Sequence, residues 1–183
     1  MKIGAIKKAC VDTESFILLT NKAGQQWICN GCAAWPVDGF RMSINMVASI
    51  FDLGIKQQEK FDIREGAVPD EENWYFEPTE GEERLTDLGL AYSGGKLYRA
   101  LKGQDGLLFI DIDWTKPGER KGGEFNFEYR LRKTARDKPM IACYGDMLVS
   151  ALVMPMKAEG IMEDLDRIAR EPLNRWYGDG EDE

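Results

Sequence analysis

The sequence predicts an α+β chain that is mainly antiparallel β, a hairpin meander or small barrel carrying two or three helices. Three observations lead there. Asn30-Gly31 lies between two short apolar segments, the strongest local hairpin signal, because type I′ turns need positive φ at both central residues. Glu124–Lys133 alternates with period two: Phe125, Phe127, Tyr129 and Leu131 point one way, while Glu124, Asn126, Glu128, Arg130 and Arg132 point the other. Turn residues recur at short intervals through the second half of the chain.

Taken in order, Lys2–Cys10 reads as a first strand. Phe16–Thr20 follows, turned back by Asn21-Lys22-Ala23-Gly24 into Gln25–Cys29, and Cys32–Trp35 lies beyond the Asn30-Gly31 turn. Ser43 is placed to cap a helix whose Met46, Val47, Ile50 and Phe51 recur at helical spacing, with Gly54 as its stop. Residues 56–85 hold Pro69, Pro78 and most of the acid, yet also Trp74-Tyr75-Phe76; they read as an ordered acidic connector anchoring an aromatic cluster. Leu88–Tyr92 and Lys96–Leu101 flank Gly94-Gly95, and Gln104-Asp105-Gly106 precedes Leu107–Trp114. Turns near Arg136-Asp137 and Gly145-Asp146 bound Met140–Tyr144 and lead to Met147–Met154. A final amphipathic helix over 158–170 shows Ile161, Leu165 and Ile168 on one face. The organisation expected is a β unit plus helix (1–55), an acidic connector (56–85) and a β meander with a terminal helix (86–183), together one compact domain.

Composition removes many functions. The chain has no histidine, which excludes Ser-His-Asp and Cys-His catalysis, histidine general bases and histidine-ligated metals. Its longest uncharged apolar run, Met147–Met156, is too short to span a bilayer, and the N-terminus has no secretory h-region. A soluble cytoplasmic protein with four reduced cysteines is expected, with no membrane contact and no cofactor. Of 183 residues with net charge −8, the stretch 59–87 holds eleven acids against three bases, whereas 115–138 holds eight bases against four acids. The overall sign disfavours bulk nucleic-acid binding.

Four groups carry candidate chemistry. Cys29-Asn30-Gly31-Cys32 has zinc-knuckle spacing, but a four-cysteine site would have to recruit Cys10 and Cys143; small hydrophobes flanking a turn are the plainer reading. Asp111 and Asp113, two apart on one strand face, have the pattern of Mg²⁺-dependent nucleases if Glu124 or Glu128 adds a ligand, and otherwise form a solvated polar face. Arg130, Arg132, Lys133, Arg136 and Lys138 form a basic hairpin that would contact phosphates or, more simply, protect an edge strand. Asp70, Glu71, Glu72, Glu77, Glu80, Glu82 and Glu83, with Trp74 as aromatic anchor, form an acidic surface able to mimic nucleic acid before a basic partner, or only to keep the chain soluble.

Several segments also look familiar together: Gly24-Gln25-Gln26-Trp27-Ile28, Asn30-Gly31-Cys32-Ala33-Ala34-Trp35-Pro36-Val37, Ala91-Tyr92-Ser93-Gly94-Gly95, Leu107-Leu108-Phe109-Ile110-Asp111 and Pro139-Met140-Ile141-Ala142. In this order they resemble a group of small uncharacterised phage and prophage proteins of gut Firmicutes. The resemblance spans most of the chain and rests on turns and aromatics, so it carries over no functional residue. Phage proteins of this size and origin include inhibitors of type II-A CRISPR immunity. The resemblance therefore implies an anti-CRISPR protein of the bacterial host cytoplasm that binds the Cas9–guide complex, or another host defence protein, and is not an enzyme. The alternatives are a metal-dependent nuclease using Asp111 and Asp113, and a phage DNA-binding or replication accessory protein.

Overall fold

The computed structural model describes residues 2–37, 39, 41–69, 72–119, 127–133, 138–145 and 147–156. Among these residues three α-helices, α1 (Ile3–Asp12), α2 (Ile44–Ile50) and α3 (Ile55–Gln58), accompany eleven strands. Eight strands make one open sheet. In spatial order they are β4 (Asp62–Ala67), β1 (Ser15–Thr20), β2 (Gln26–Cys29), β3 (Ala33–Val37), β11 (Leu148–Val153), β10 (Pro139–Gly145), β9 (Glu128–Lys133) and β5 (Glu83–Arg84). Three more, β6 (Thr86–Ser93), β7 (Lys96–Gly103) and β8 (Gly106–Asp111), form a separate meander. All pairings are antiparallel except β1 with β4. The fold is thus α+β and mainly antiparallel, and the large sheet is open, not a barrel.

The first segment corrects the sequence expectation: Lys2–Cys10 leads into and belongs to a helix, not a strand. Ile6 and Cys10 are buried and Ile3 packs against the same core, so the apolar residues fall at i, i+3 and i+7, one face of a helix. The Ser43 cap forms as expected, its hydroxyl accepting the Met46 N–H at 3.3 Å. The helix stops before Gly54, because Asp52 takes the left-handed conformation instead. The 30–33 turn has positive φ at Gly31 alone, which is the type II′ requirement, not that of type I′. Asn30 is buried there: its Oδ1 accepts from the Cys32 and Ala33 amides, and its Nδ2 donates to the Ala9 carbonyl near the end of α1. Gly94-Gly95 has positive φ at both positions and makes the tight turn read from the sequence.

Strand alternation divides the core. Phe16, Leu18, Ile28, Trp35, Tyr129, Leu131, Ile141 and Val153 form the main cluster with α1, α2 and the near side of the meander. Trp27, Cys29, Ala34, Met140, Ala142, Tyr144 and Leu152 form a second cluster, joined by Val68, Trp74 and Phe76 from the acidic segment. Both sides of the large sheet are therefore covered, and strands from all three segments of the chain enter it. The turn expected at 136–137, the strand start at 124–126 and the terminal helix over 158–170 lie outside the described residues. Among the described residues no helix is long and apolar enough to cross a membrane.

Candidate functional site

The acidic segment takes its shape from where its two ends are tied. β4 forms one edge of the large sheet and β5 the opposite edge. The fifteen residues between them must cross the eight-stranded sheet, a width of about 33 Å at the usual strand spacing. They cross as a strap, and a strap outside the ladder still needs partners for its backbone polar groups.

Arg132 supplies them. It lies on β9 and is only 1% exposed. Its Nη1 donates to the carbonyls of Asn73 (2.5 Å) and Tyr75 (2.9 Å), and its Nη2 to the carbonyl of Glu77 (3.1 Å) and to Tyr144 Oη (2.8 Å). Its Nε donates to Glu82 Oε1 at 2.7 Å, so all five guanidinium N–H groups have acceptors. The Glu82 side chain is 2% exposed, and Tyr144 Oη donates to its carboxylate at 2.7 Å. Further along, Phe76 O accepts the Val149 amide at 2.8 Å, and Trp74 O accepts Asn21 Nδ2 at 2.7 Å. The Trp74 and Phe76 rings stand edge-on to the buried Trp27, with centroids 5.9 and 5.1 Å away.

The charges of this clamp are coupled. Burial alone would raise the Glu82 pKa, but the Tyr144 hydrogen bond and the Arg132 charge outweigh it and hold the carboxyl below its ordinary value. Burial and the same hydrogen bond push Tyr144 up to about 12. Because the folded-state pKa of Glu82 is depressed, its contribution is fully present above the ordinary carboxylate range and is lost as pH falls through the folded value. Urea unfolding measured from neutral to acid pH is expected to show stability declining over that window. Glu82→Gln should flatten this part of the decline; an unchanged pH slope in that variant would count against the clamp.

This geometry redistributes the candidate residues. The sequence expects Arg132 on the surface beside phosphates; it is buried and its donors are used. It expects Glu82 to face a partner; the carboxylate neutralises Arg132 instead. Glu83 is half-buried and accepts the Gln104 amide at 2.5 Å. Arg130 lies over the Tyr144 ring at 4.9 Å and pairs with Glu128 at 2.8 Å. Trp74 is half-buried against Trp27, so most of its contact is internal. Glu77 and Glu80 are exposed, Glu77 accepting Gln25 Nε2 at 3.1 Å. Glu72 is half-buried at the lip of an apolar groove of about 310 Å³ lined by Ile17, Leu19, Met140 and Met154, with Lys138 beside it. Lys133 and Lys138 are exposed. Asp70, Glu71, Glu124 and Arg136 lie outside the described residues.

The other candidate groups do not assemble. Asp111 and Asp113 do not share a strand face, because the chain leaves β8 at Asp111 and makes a 3-10 turn over Ile112–Trp114. Asp111 is buried, caps that turn by accepting the Asp113 amide at 2.9 Å, and pairs with Lys96 at 3.4 Å; Asp113 pairs with Lys116. Cys29 is buried while Cys32 is exposed, and Cys10 and Cys143 are buried on the inner side of the sheet. Burial pushes the Cys10 thiol up to about 12 and raises those of Cys29 and Cys143 as well, the opposite of what a thiolate ligand set needs. Among the described residues no group of three or more His, Cys, Asp or Glu is placed to hold a metal.

Comparison with protein-family profiles, curated proteins and solved structures gives no match. The residues that organise this site and that sequence reasoning missed are Tyr144, Asn21 and Gln25. Their roles depend on strand register across the sheet, and only the Trp74-Tyr75-Phe76 run hints that the segment docks on something.

Proposed function

We propose that this chain is a binding protein of phage origin that inhibits Cas9 by occupying the Cas9–guide complex with the outward side of its acidic strap. The observation that carries this reading is the clamp beneath the strap. Arg132 and Trp27 hold its inner side, while Glu77 and Glu80 are exposed on its outer side and Glu72 is half-buried at its border. A surface ordered before binding loses less conformational entropy on association than a loose acidic loop. Cas9 keeps its nucleic acids in positively charged channels, and a fixed row of carboxylates is chemically complementary to such a channel. The resemblance to phage proteins supports the same partner.

Immobilised Cas9, with and without guide RNA, is expected to retain the chain, and molar excess of the chain is expected to suppress target cleavage. Absence of retention in both states, together with undiminished cleavage, would refute the proposal. Glu72, Glu77 and Glu80 replaced together by Gln should weaken binding by more than about tenfold, since three charges are removed from one interface. The thermal midpoint should move little, because Glu77 and Glu80 are exposed and Glu72 is half-buried, and substitutions near the surface each change stability by within about 0.5 kcal/mol. Binding of the parent should also fall with salt, because exposed charges are screened beyond about 8 Å at physiological ionic strength. A triple variant that binds as tightly as the parent at low salt would leave the strap with a purely structural role.

A further inference from the structure

We propose that the apolar groove beside the strap is a peptide-binding site, which takes a large apolar side chain from a basic segment of a partner protein. The groove, of about 310 Å³, lies on the side of the large sheet that the strap crosses. β1 lends it Ile17 and Leu19, and β10 lends Met140; Val68, Trp74 and Met154 join them. Glu72, from the strap itself, stands at the lip. Apolar walls alone do not name an occupant, but three features of these walls narrow the choice.

The first is a donor. The indole N–H of Trp74 is buried and has no acceptor among the described residues. A buried donor left so is destabilising and uncommon in folded proteins unless a bound group answers it. A backbone carbonyl is an acceptor of the right kind. The second is charge. Glu77 and Glu80 are exposed on the same strap as Glu72, and the whole chain carries net charge −8. Lys138, which also lines the groove, already has a contact of its own. Such a rim repels an anion and attracts a cation. The third is the pair of methionines. Unbranched thioether side chains repack around different apolar shapes, which suits a surface that receives an anchor from outside.

A fatty acid would bring the wrong charge to this rim, and a plain hydrocarbon would bring neither charge nor acceptor. A basic peptide with one large apolar residue brings all three: a side chain for the groove, a carbonyl for the indole and cations for the acids beside it. A buried apolar anchor ringed by polar contacts is the usual source of affinity at a protein interface. The groove thus adds a second contact next to the outer side of the strap, and it stands whether or not the partner is Cas9.

Titration of the isotope-labelled full chain with acetyl-Arg-Lys-Leu-Lys-Arg-amide, followed in proton–nitrogen correlation spectra, is the test. The chain has five tryptophans, and the indole signal of Trp74 is the one that Trp74→Phe removes. That signal is expected to move downfield as the peptide is added, because its proton gains an acceptor. The analogue with serine for leucine should bind at least about tenfold more weakly, since it buries no large apolar group. Glutamate in place of the flanking bases should weaken binding by at least about tenfold through like-charge repulsion. Met154→Arg, which sets a cation in the groove, should weaken binding of the leucine peptide by at least about tenfold. Its thermal midpoint should hardly move, since Met154 is 42% exposed. An indole signal that stays in place up to several millimolar peptide would overturn the proposal, and would show the groove closed or filled by the chain itself. So would a serine or glutamate analogue that binds as tightly as the leucine peptide, or a Met154→Arg variant that binds it as the parent does.

Discussion

Arg132→Met is expected to destabilise the chain by about 3–5 kcal/mol, because it takes from the buried Glu82 carboxylate its close counter-charge and leaves it only Arg130, 3.6 Å away. Three strap carbonyls lose their donor in the same step, and a buried unsatisfied group costs roughly 1–3 kcal/mol. Since whole domains are stable by only about 5–15 kcal/mol, this single change consumes a large part of the margin. Urea unfolding at neutral pH measures it. Combining Arg132→Met with Glu82→Gln should recover part of the loss, as the stranded charge is then gone while the orphaned carbonyls remain. A cost below about 1 kcal/mol, the level of an ordinary surface ion pair, would show that the strap does not depend on this residue. Arg132→Lys should fall between the two, because one ammonium with three donors cannot serve five acceptors.

Trp27→Ala is expected to cost a comparable amount, about 3–5 kcal/mol for a large buried aromatic. Trp27 is fully buried, and it is the surface on which both Trp74 and Phe76 stand. Its indole N–H has no hydrogen-bond partner among the described residues, so Trp27→Phe loses volume and, among them, no hydrogen bond. That variant should cost clearly less, within about 1.5 kcal/mol for an aromatic swap that largely keeps the shape. Urea denaturation of the two variants side by side separates ring packing from polar contact. Equal losses in both would mean that the indole N–H has a role the contacts do not explain. Trp27→Ala should also weaken partner binding at temperatures where the chain remains folded, because the strap then loses its apolar footing.

Local chemistry is legible in the sequence where it acts over a few residues. The Ser43 cap, the glycine turns at Gly24 and Gly94-Gly95 and the alternation of Phe127, Tyr129 and Leu131 all reflect short-range rules, and the folded chain obeys them. Alternation tells which residues share a face of β9, but not what covers that face. Arg132 therefore reads as solvent-exposed when it is buried beneath another part of the chain. The partner of such a residue is set by sheet register: Arg132 lies opposite Met140, two strand positions from Ala142 and four from Tyr144 on the same side of β10. No sequence window contains that relation. The N-terminal helix reads as a strand because a few apolar positions in ten residues satisfy either period, and only packing against the core decides between them. Asp111 and Asp113 do not form a pair because one 3-10 turn rotates the second away from the first.

The join at the middle of the large sheet has a consequence for how the chain is made. β3 meets β11 there through Ala34 with Leu152 and Ala33 with Val153, so its two halves come from opposite ends of the described sequence. A ribosome releases β1, β2 and β3 long before β11 exists. During that interval β3, with Trp35, lacks its β11 neighbour, and the strap over Trp27 lacks Arg132 and Val149, which later anchor it. Contacts between distant positions slow folding because a long loop must close before they form. The early half of the nascent chain therefore waits with apolar strands open to its surroundings, and it becomes a substrate for holding chaperones until the last strands arrive.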